Sequence, residues 1–249
     1  MKKLILVAAF TAALFSLAAA QETKSMPPVT AIQVVRGGVV QPSSSIKPSF
    51  PPFCTKKNCL YYAGDFDSSA SDANGLFNAN DTGDSLEGQV WVGVKPTENA
   101  TVTGSTFNQF FVEAGVGTNP TPFAVQVGIT EGHAGKTVCS TSGKATETVY
   151  GESDFGLTQY SYTVKKFKKA CNFKKGKLYF VNLLPTFTDN YGYLVNVSGK
   201  IKNHKGWPNQ RDQCFFNGAA FGADYVSCNS QGIGTDGYSV LSIALTGTE

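Results

Sequence analysis

Apolar residues in this chain recur at every second position in short runs, and no stretch holds the three-and-four spacing of an amphipathic helix. Phe123 to Ile129 alternates in this way. So does Thr158 to Val164, which places Tyr160, Tyr162 and Val164 on one side of a strand. Gly176 to Pro185 is different: a continuous apolar run, rich in aromatic and β-branched residues and bounded by Gly and Pro. It reads as a strand buried on both faces. A helix there is disfavoured because Tyr, Phe and Val lose χ1 freedom against a helical turn. Pro185 is expected to close the run.

Further strands are expected at Cys59–Ala63, Val90–Val94, Ala100–Ser105, Phe107–Val112, Tyr193–Val197 and Tyr238–Leu245. Gly64 to Gly88 reads as one long polar loop. The 26 Gly and 11 Pro supply turns between short strands, and no repeat period is evident. The pattern predicts an all-β fold, a disulfide-bonded antiparallel β-sandwich of jelly-roll-like character, filling residues 54–249 as one domain.

The ends of the chain change the picture. Lys2 and Lys3 precede an apolar stretch from Leu4 to Leu17, and Ala18-Ala19-Ala20 offers small residues for cleavage. Residues 1–20 therefore read as a secretory signal peptide, since the apolar run is shorter than the ~20 residues that span a bilayer. Residues 21–53 read as a leader or linker, kept extended by Pro27, Pro28, Pro42, Pro48, Pro51 and Pro52. Ile32–Val35 and Val39–Val40 within it are expected to form at most a small hairpin. The whole chain carries 21 basic and 18 acidic residues, a formal +3. Removing Lys2 and Lys3 leaves 19 minus 18, or +1, for the mature protein. Bulk charge thus gives no reason to expect nucleic acid or a membrane surface as partner, and no later stretch is apolar enough to insert into a membrane.

Six cysteines follow the signal, which in an exported chain points to disulfides. Pairing of neighbours gives Cys54–Cys59, Cys139–Cys171 and Cys214–Cys228 as the expectation. Zinc is the rival reading, but no C-x₂-C spacing occurs and His133 and His204 are the only histidines.

Four constellations bear on chemistry. Asp65, Asp67, Asp72, Asn78, Asn80 and Asp84 crowd the polar loop. Hard oxygens at this density suit a structural Ca²⁺, although Asp, Asn and Gly also build plain turns. Lys165, Lys166, Lys168, Lys169, Lys174, Lys175 and Lys177, interleaved with Phe167 and Phe173, read either as a solvated hairpin tip or as a patch for an anionic polysaccharide. Tyr62, Tyr160, Tyr162, Tyr193 and Trp207 are candidates for a sugar-stacking face, the alternative being that they fill the core. Catalytic signatures are scarce. No G-x-S-x-G, H-E-x-x-H or phosphate loop occurs, and both histidines sit in polar turns.

Several segments together resemble a group of uncharacterised exported bacterial β-sandwich proteins. They are Tyr62-Ala-Gly-Asp65, Asn74-Gly-Leu-Phe-Asn78, Thr101-Val-Thr-Gly104, Gly128-Ile-Thr-Glu-Gly-His-Ala-Gly-Lys136, Phe155-Gly-Leu-Thr-Gln-Tyr160, Gly176-Lys-Leu-Tyr-Phe180 and Cys214-Phe-Phe-Asn217 with Phe221-Gly-Ala223. The resemblance spans Cys59 to Gly247 in order. It implies a secreted sandwich and brings no reaction and no catalytic residues. The sequence therefore favours a secreted, non-catalytic binding or surface-associated module for a polysaccharide or cell-surface glycan. A hydrolase using paired carboxylates and a purely structural envelope or matrix protein are the alternatives.

Overall fold

The computed structural model describes residues 57–64, 75–81, 86–113, 124–152, 158–187, 192–197, 204–219, 222–231 and 241–249. The signal peptide, the leader, Cys54, Asp65, Asp67, Asp72 and Asp84 lie outside these residues. In chain order the strands are β1 (Cys59–Tyr62), β2 (Gly75–Phe77), β3 (Ala79–Asp81), β4 (Leu86–Val94), β5 (Ala100–Glu113) and β6 (Ala124–Glu131). They continue with β7 (Lys136–Gly143), β8 (Thr146–Glu152), β9 (Thr158–Val164), β10 (Cys171–Phe173) and β11 (Tyr179–Phe187). The last are β12 (Gly192–Val197), β13 (Lys205–Gly206), β14 (Asn209–Gly218), β15 (Ala223–Ser227) and β16 (Ile243–Thr248).

The strands form two sheets packed as a sandwich. The nine-stranded sheet runs β13-β1-β16-β5-β12-β2, with β9 and β10 also paired to β5 and β8 paired to β9. The seven-stranded sheet runs β15-β14-β4-β3-β11-β6-β7. Between them lies one contiguous core, to which Val90, Val92, Val94, Val125, Val127, Ile129, Tyr179, Val181, Leu183 and Phe187 contribute from one sheet. Tyr61, Val102, Phe107, Tyr160, Tyr162, Val164, Ile243 and Leu245 contribute from the other.

The apolar run identified from sequence is β11, and all nine of its residues are buried. It does not stop at Pro185, however, but continues to Phe187. The reason lies in its neighbours. β4 pairs with β11 only over Tyr179–Val181, and β3 joins it only at Thr186 and Phe187. The Leu183 carbonyl points to that flank, so by the two-residue period the Pro185 nitrogen does too. A missing N–H there breaks no ladder bond.

Along β11, the stretch between its pairing with β4 and its pairing with β3 is bridged by two asparagines. β2 belongs to the nine-stranded sheet and β3 to the seven-stranded one, so the chain changes sheets at Asn78. Asn78 is fully buried and Asn182 is 3% exposed. The Asn78 amide donates to the Leu183 carbonyl at 2.8 Å, and its oxygen accepts from the Val90 N–H at 3.0 Å and from the Asn182 amide at 3.1 Å. Asn182 also donates to the Val90 carbonyl at 2.8 Å. The side chains thus supply the bonds that an uninterrupted ladder would have made. The β3–β11 contact this creates is parallel, unlike the wholly antiparallel pairing expected.

β2 and β3 occupy what reads in the sequence as loop, and β5 is one strand where two short ones are expected. A register shift between Thr246 and Gly247 leaves Thr103 unopposed on β5, which lets Val102 and Phe107 both face the core. Two disulfides follow the neighbour pairing. Cys139–Cys171 joins β7 of one sheet to β10 of the other, and Cys214–Cys228 ties β14 to the 3₁₀ turn after β15. Cys59 is disulfide-bonded as well; its expected mate, Cys54, is outside the described residues.

Replacing Asn78 by Ala strands the Val90 N–H and the Leu183 carbonyl and removes one of the two bonds of the Asn182 amide. The expected loss is about 2–5 kcal/mol, read as a fall in the urea midpoint of oxidised protein. Because the two asparagines share partners, N78A/N182A is expected to cost less than the sum of the single changes.

Candidate functional site

The two faces of the seven-stranded sheet differ in kind. On β4, Val90, Val92 and Val94 belong to the shared core, so the period of two turns Trp91 to the outer face. On β11, Phe180 lies between core-facing Tyr179 and Val181. On β14, Phe215 lies between core-facing Cys214 and Phe216 and stands directly opposite Trp91.

These residues gather into an aromatic strip. The His133 ring, from the β6–β7 turn, stacks on Phe215 with centroids 4.2 Å apart and planes within 8°. Phe180 meets His133 edge-on at 6.1 Å and Phe215 at 5.5 Å. At the other end Tyr225 of β15 lies 6.3 Å from Trp91. Trp91 and Phe180 are 7% and 1% exposed and form the floor. His133 is exposed, and Phe215 and Tyr225 are half-buried, so these three rings form the accessible rim. The Trp91 indole extends over β11 to β6, where a Cβ at Gly128 would come within 2.9 Å of it. Only glycine leaves room there for the end of the ring.

Polar side chains border the strip. The Trp91 indole N–H donates to the Gln89 oxygen at 3.0 Å, and the Gln89 amide donates in turn to the Glu87 carboxylate. This fixes the indole in its plane. Gln126 donates to the Thr186 hydroxyl at 3.3 Å. The backbone is strained around the same face. Among the described residues three non-glycines have positive φ: Ala134 at 51°, Asp212 at 54° and Tyr225 at 47°. Ala134 adjoins His133, Tyr225 is itself on the rim, and Asp212 lies in the irregular part of β14 that leads to Phe215. Left-handed backbone costs about 1–3 kcal/mol per residue and gathers at ligand-binding positions. Burial, and then the Asp224 charge, hold the Tyr225 phenol above its usual range.

Four of the five rings of the aromatic face expected from sequence are buried and form no surface. Tyr62, Tyr160, Tyr162 and Trp207 are each at most 1% exposed. Tyr160, Tyr162 and Trp207 belong to the core, and Tyr62 packs on Ala244 and Cys59. Trp207 is held further by its indole N–H to Glu249 at 3.0 Å and by its contact with Phe173. Tyr193 lies on β12. The calcium reading loses Asn78, whose amide oxygen already accepts two hydrogen bonds inside the sandwich. Asn80 is part of β3, its backbone paired with Glu87 and Thr186. The four aspartates of that reading fall outside the described residues. Among the described residues no group of three His, Cys, Asp or Glu side chains comes together to hold a metal.

Two of the described carboxylates are held in ion pairs. Glu98 pairs with Lys175 at 2.8 Å and Glu131 with Lys177 at 3.0 Å. Glu147 differs. It stands on β8 directly opposite Tyr162 of β9. Burial raises its carboxyl above the usual range, partly offset by the Tyr162 hydroxyl. The Tyr162 phenol is itself pushed well up, by burial first and then by the charges of Glu147 and Tyr160. An inward-facing acid on a strand with a single partner discourages further strand addition there.

Comparison with protein-family models and with curated proteins finds no match to this chain. Among the described residues no helix is long and apolar enough to cross a membrane.

The raised folded-state carboxyl means that Glu147 favours the fold when protonated. That contribution is full below the ordinary glutamate value of 4.5 and fades as pH rises through the higher folded value. Glu147→Gln is therefore expected to raise Tm by about 1–2 °C at pH 7, an effect kept small by the side chain's partial exposure. The difference should vanish in melts at pH 4 and below.

Proposed function

We propose that this chain is an exported, non-catalytic binding module that takes a polysaccharide on the outer face of its seven-stranded sheet. The observation that carries the reading is the strip of His133, Phe215 and Tyr225 above Trp91 and Phe180, with left-handed backbone at Tyr225 itself and at Ala134 beside His133. Rings at the rim offer flat apolar area to the C–H faces of a sugar, and Gln89 and Gln126 offer amides to its hydroxyls.

Export follows from the basic-apolar-small pattern of residues 1–20. The disulfides fit an oxidising compartment. The reading does not call on calcium, since none of the five rings of the strip belongs to the Asp/Asn-rich segment.

The test is affinity electrophoresis of the oxidised mature chain from Gln21 through gels holding neutral and acidic cell-wall and soil polysaccharides. At least one polymer should retard the protein, equally with calcium and with chelator. F215A/Y225A, whose folding is checked by melting, should weaken that retention about fivefold or more, at roughly 0.5–1.5 kcal/mol per ring. Unchanged retention in the double variant, or no retention of the wild type by any polymer, would sink the proposal.

A further inference from the structure

The lysine-rich segment is not a free hairpin tip. Between Thr158 and Phe187 the chain holds seven lysines and no acid. Its backbone is fixed at short intervals. The Phe167 N–H donates to the Thr103 carbonyl, Lys168 to Ser142 at 2.8 Å and Lys169 to the Thr141 hydroxyl at 2.9 Å. Cys171 is bonded to Cys139, the Lys174 N–H donates to the Tyr179 hydroxyl at 3.0 Å, and the Lys175 N–H donates to Asn99 at 2.9 Å. Successive contacts with Ser142, Thr141 and Cys139 show that the segment runs along β7, the last strand of its sheet. It covers that edge and closes one side of the sandwich.

Lys175 and Lys177 are ion-paired with Glu98 and Glu131. Lys165, Lys166, Lys168, Lys169 and Lys174 are exposed and have no ion pair among the described residues. A nearly neutral protein therefore concentrates unmatched positive charge on one pinned ridge. Phe167 and Phe173, which interleave the lysines in sequence, are 3% and 2% exposed and point into the core. The ridge consequently offers ammonium groups without the stacking rings that a single-stranded nucleic acid uses.

We infer that the Lys165–Lys174 ridge is a second, electrostatic site that binds a linear anionic polysaccharide. It stands on different residues from the aromatic strip and does not need that reading to hold. Edge protection alone requires a covering segment with some charge; it does not require five exposed lysines, without an ion pair among the described residues, on a backbone held at short intervals. Carboxylates repeating along a polymer match such a row and release condensed counterions on binding.

Polygalacturonate is the probe, with neutral dextran and oligothymidylate as comparisons, titrated against the oxidised mature chain between 50 and 200 mM salt. Two variants lose the same charge from exposed sites: K168Q/K169Q on the ridge, and K57Q/K205Q away from it. The ridge variant should weaken polygalacturonate binding about fivefold or more and lower the slope of log K against log salt by about 1–2. K57Q/K205Q should change affinity less than twofold, and F215A/Y225A should leave the slope unchanged. Equal effects of the two lysine pairs, no binding of polygalacturonate at 50 mM salt, or oligothymidylate binding as tight as polygalacturonate would overturn the assignment. Loss of neutral-polymer retention in F215A/Y225A alone bears only on the aromatic strip, so the two sites fail separately.

Discussion

Four hydrogen bonds around Asn78 and Asn182 hold the point where the chain passes from one sheet to the other. A sandwich whose chain crosses between sheets must break two ladders at once, and each broken ladder leaves buried N–H and C=O groups without partners. Here the crossing takes one residue, Asn78. Its amide and that of Asn182 give Val90 and Leu183 the partners they would otherwise lack. An apolar residue at either position would fill the volume but leave the backbone unsatisfied, at about 1–3 kcal/mol for each group.

That bracket also sets the outer face. Val90 and Asn182 are fixed through it, and Trp91 and Phe180 are their neighbours on β4 and β11. Gly128 opposite Asn182 makes room for the end of the Trp91 ring on β6. The Trp91–Gln89–Glu87 chain of hydrogen bonds then holds the ring in plane. A floor locked from below and an accessible rim of three rings above it make a pre-organised surface, which lowers the ordering cost of binding. The lateral side is closed differently, by Cys139–Cys171 and the pinned lysine segment along β7.

Much of the fold is legible in the sequence where burial is two-sided or alternation is regular. β11, β4, β6 and β9 are of this kind. β7 and β14 are not. Lys136-Thr-Val-Cys-Ser-Thr-Ser-Gly143 is polar because its strand lies at a sheet edge, and β14 opens on Asn-Gln-Arg-Asp-Gln. β2 and β3 are three residues each and sit in a segment rich in turn formers. Their pairing comes from the asparagine bracket, which no local pattern announces. Asn78 looks like a cation ligand for the same reason that it works as a bracket: a short side chain carrying both a donor and an acceptor.

The site was legible in part. Val90, Val92 and Val94 facing inward already imply that Trp91 faces outward, and His133 reads as a surface residue. Tyr160 and Tyr162 share one side of β9 as alternation indicates, but only the packing shows that this side is the core. Phe215 is hidden by the polar start of its strand, and the left-handed backbone at Tyr225 leaves no signature in the sequence.

The two tryptophans offer the most direct measurement, because Trp91 lies on the outer face and Trp207 is fully buried in the core. Their indole N–H signals can be followed by ¹H–¹⁵N NMR of the oxidised mature chain, titrated with an oligosaccharide of whichever polymer retards it. A saturable shift of the Trp91 signal with Trp207 unmoved is the predicted result. A Trp91 signal that stays in place while the oligosaccharide binds would contradict the placement of the site on this face.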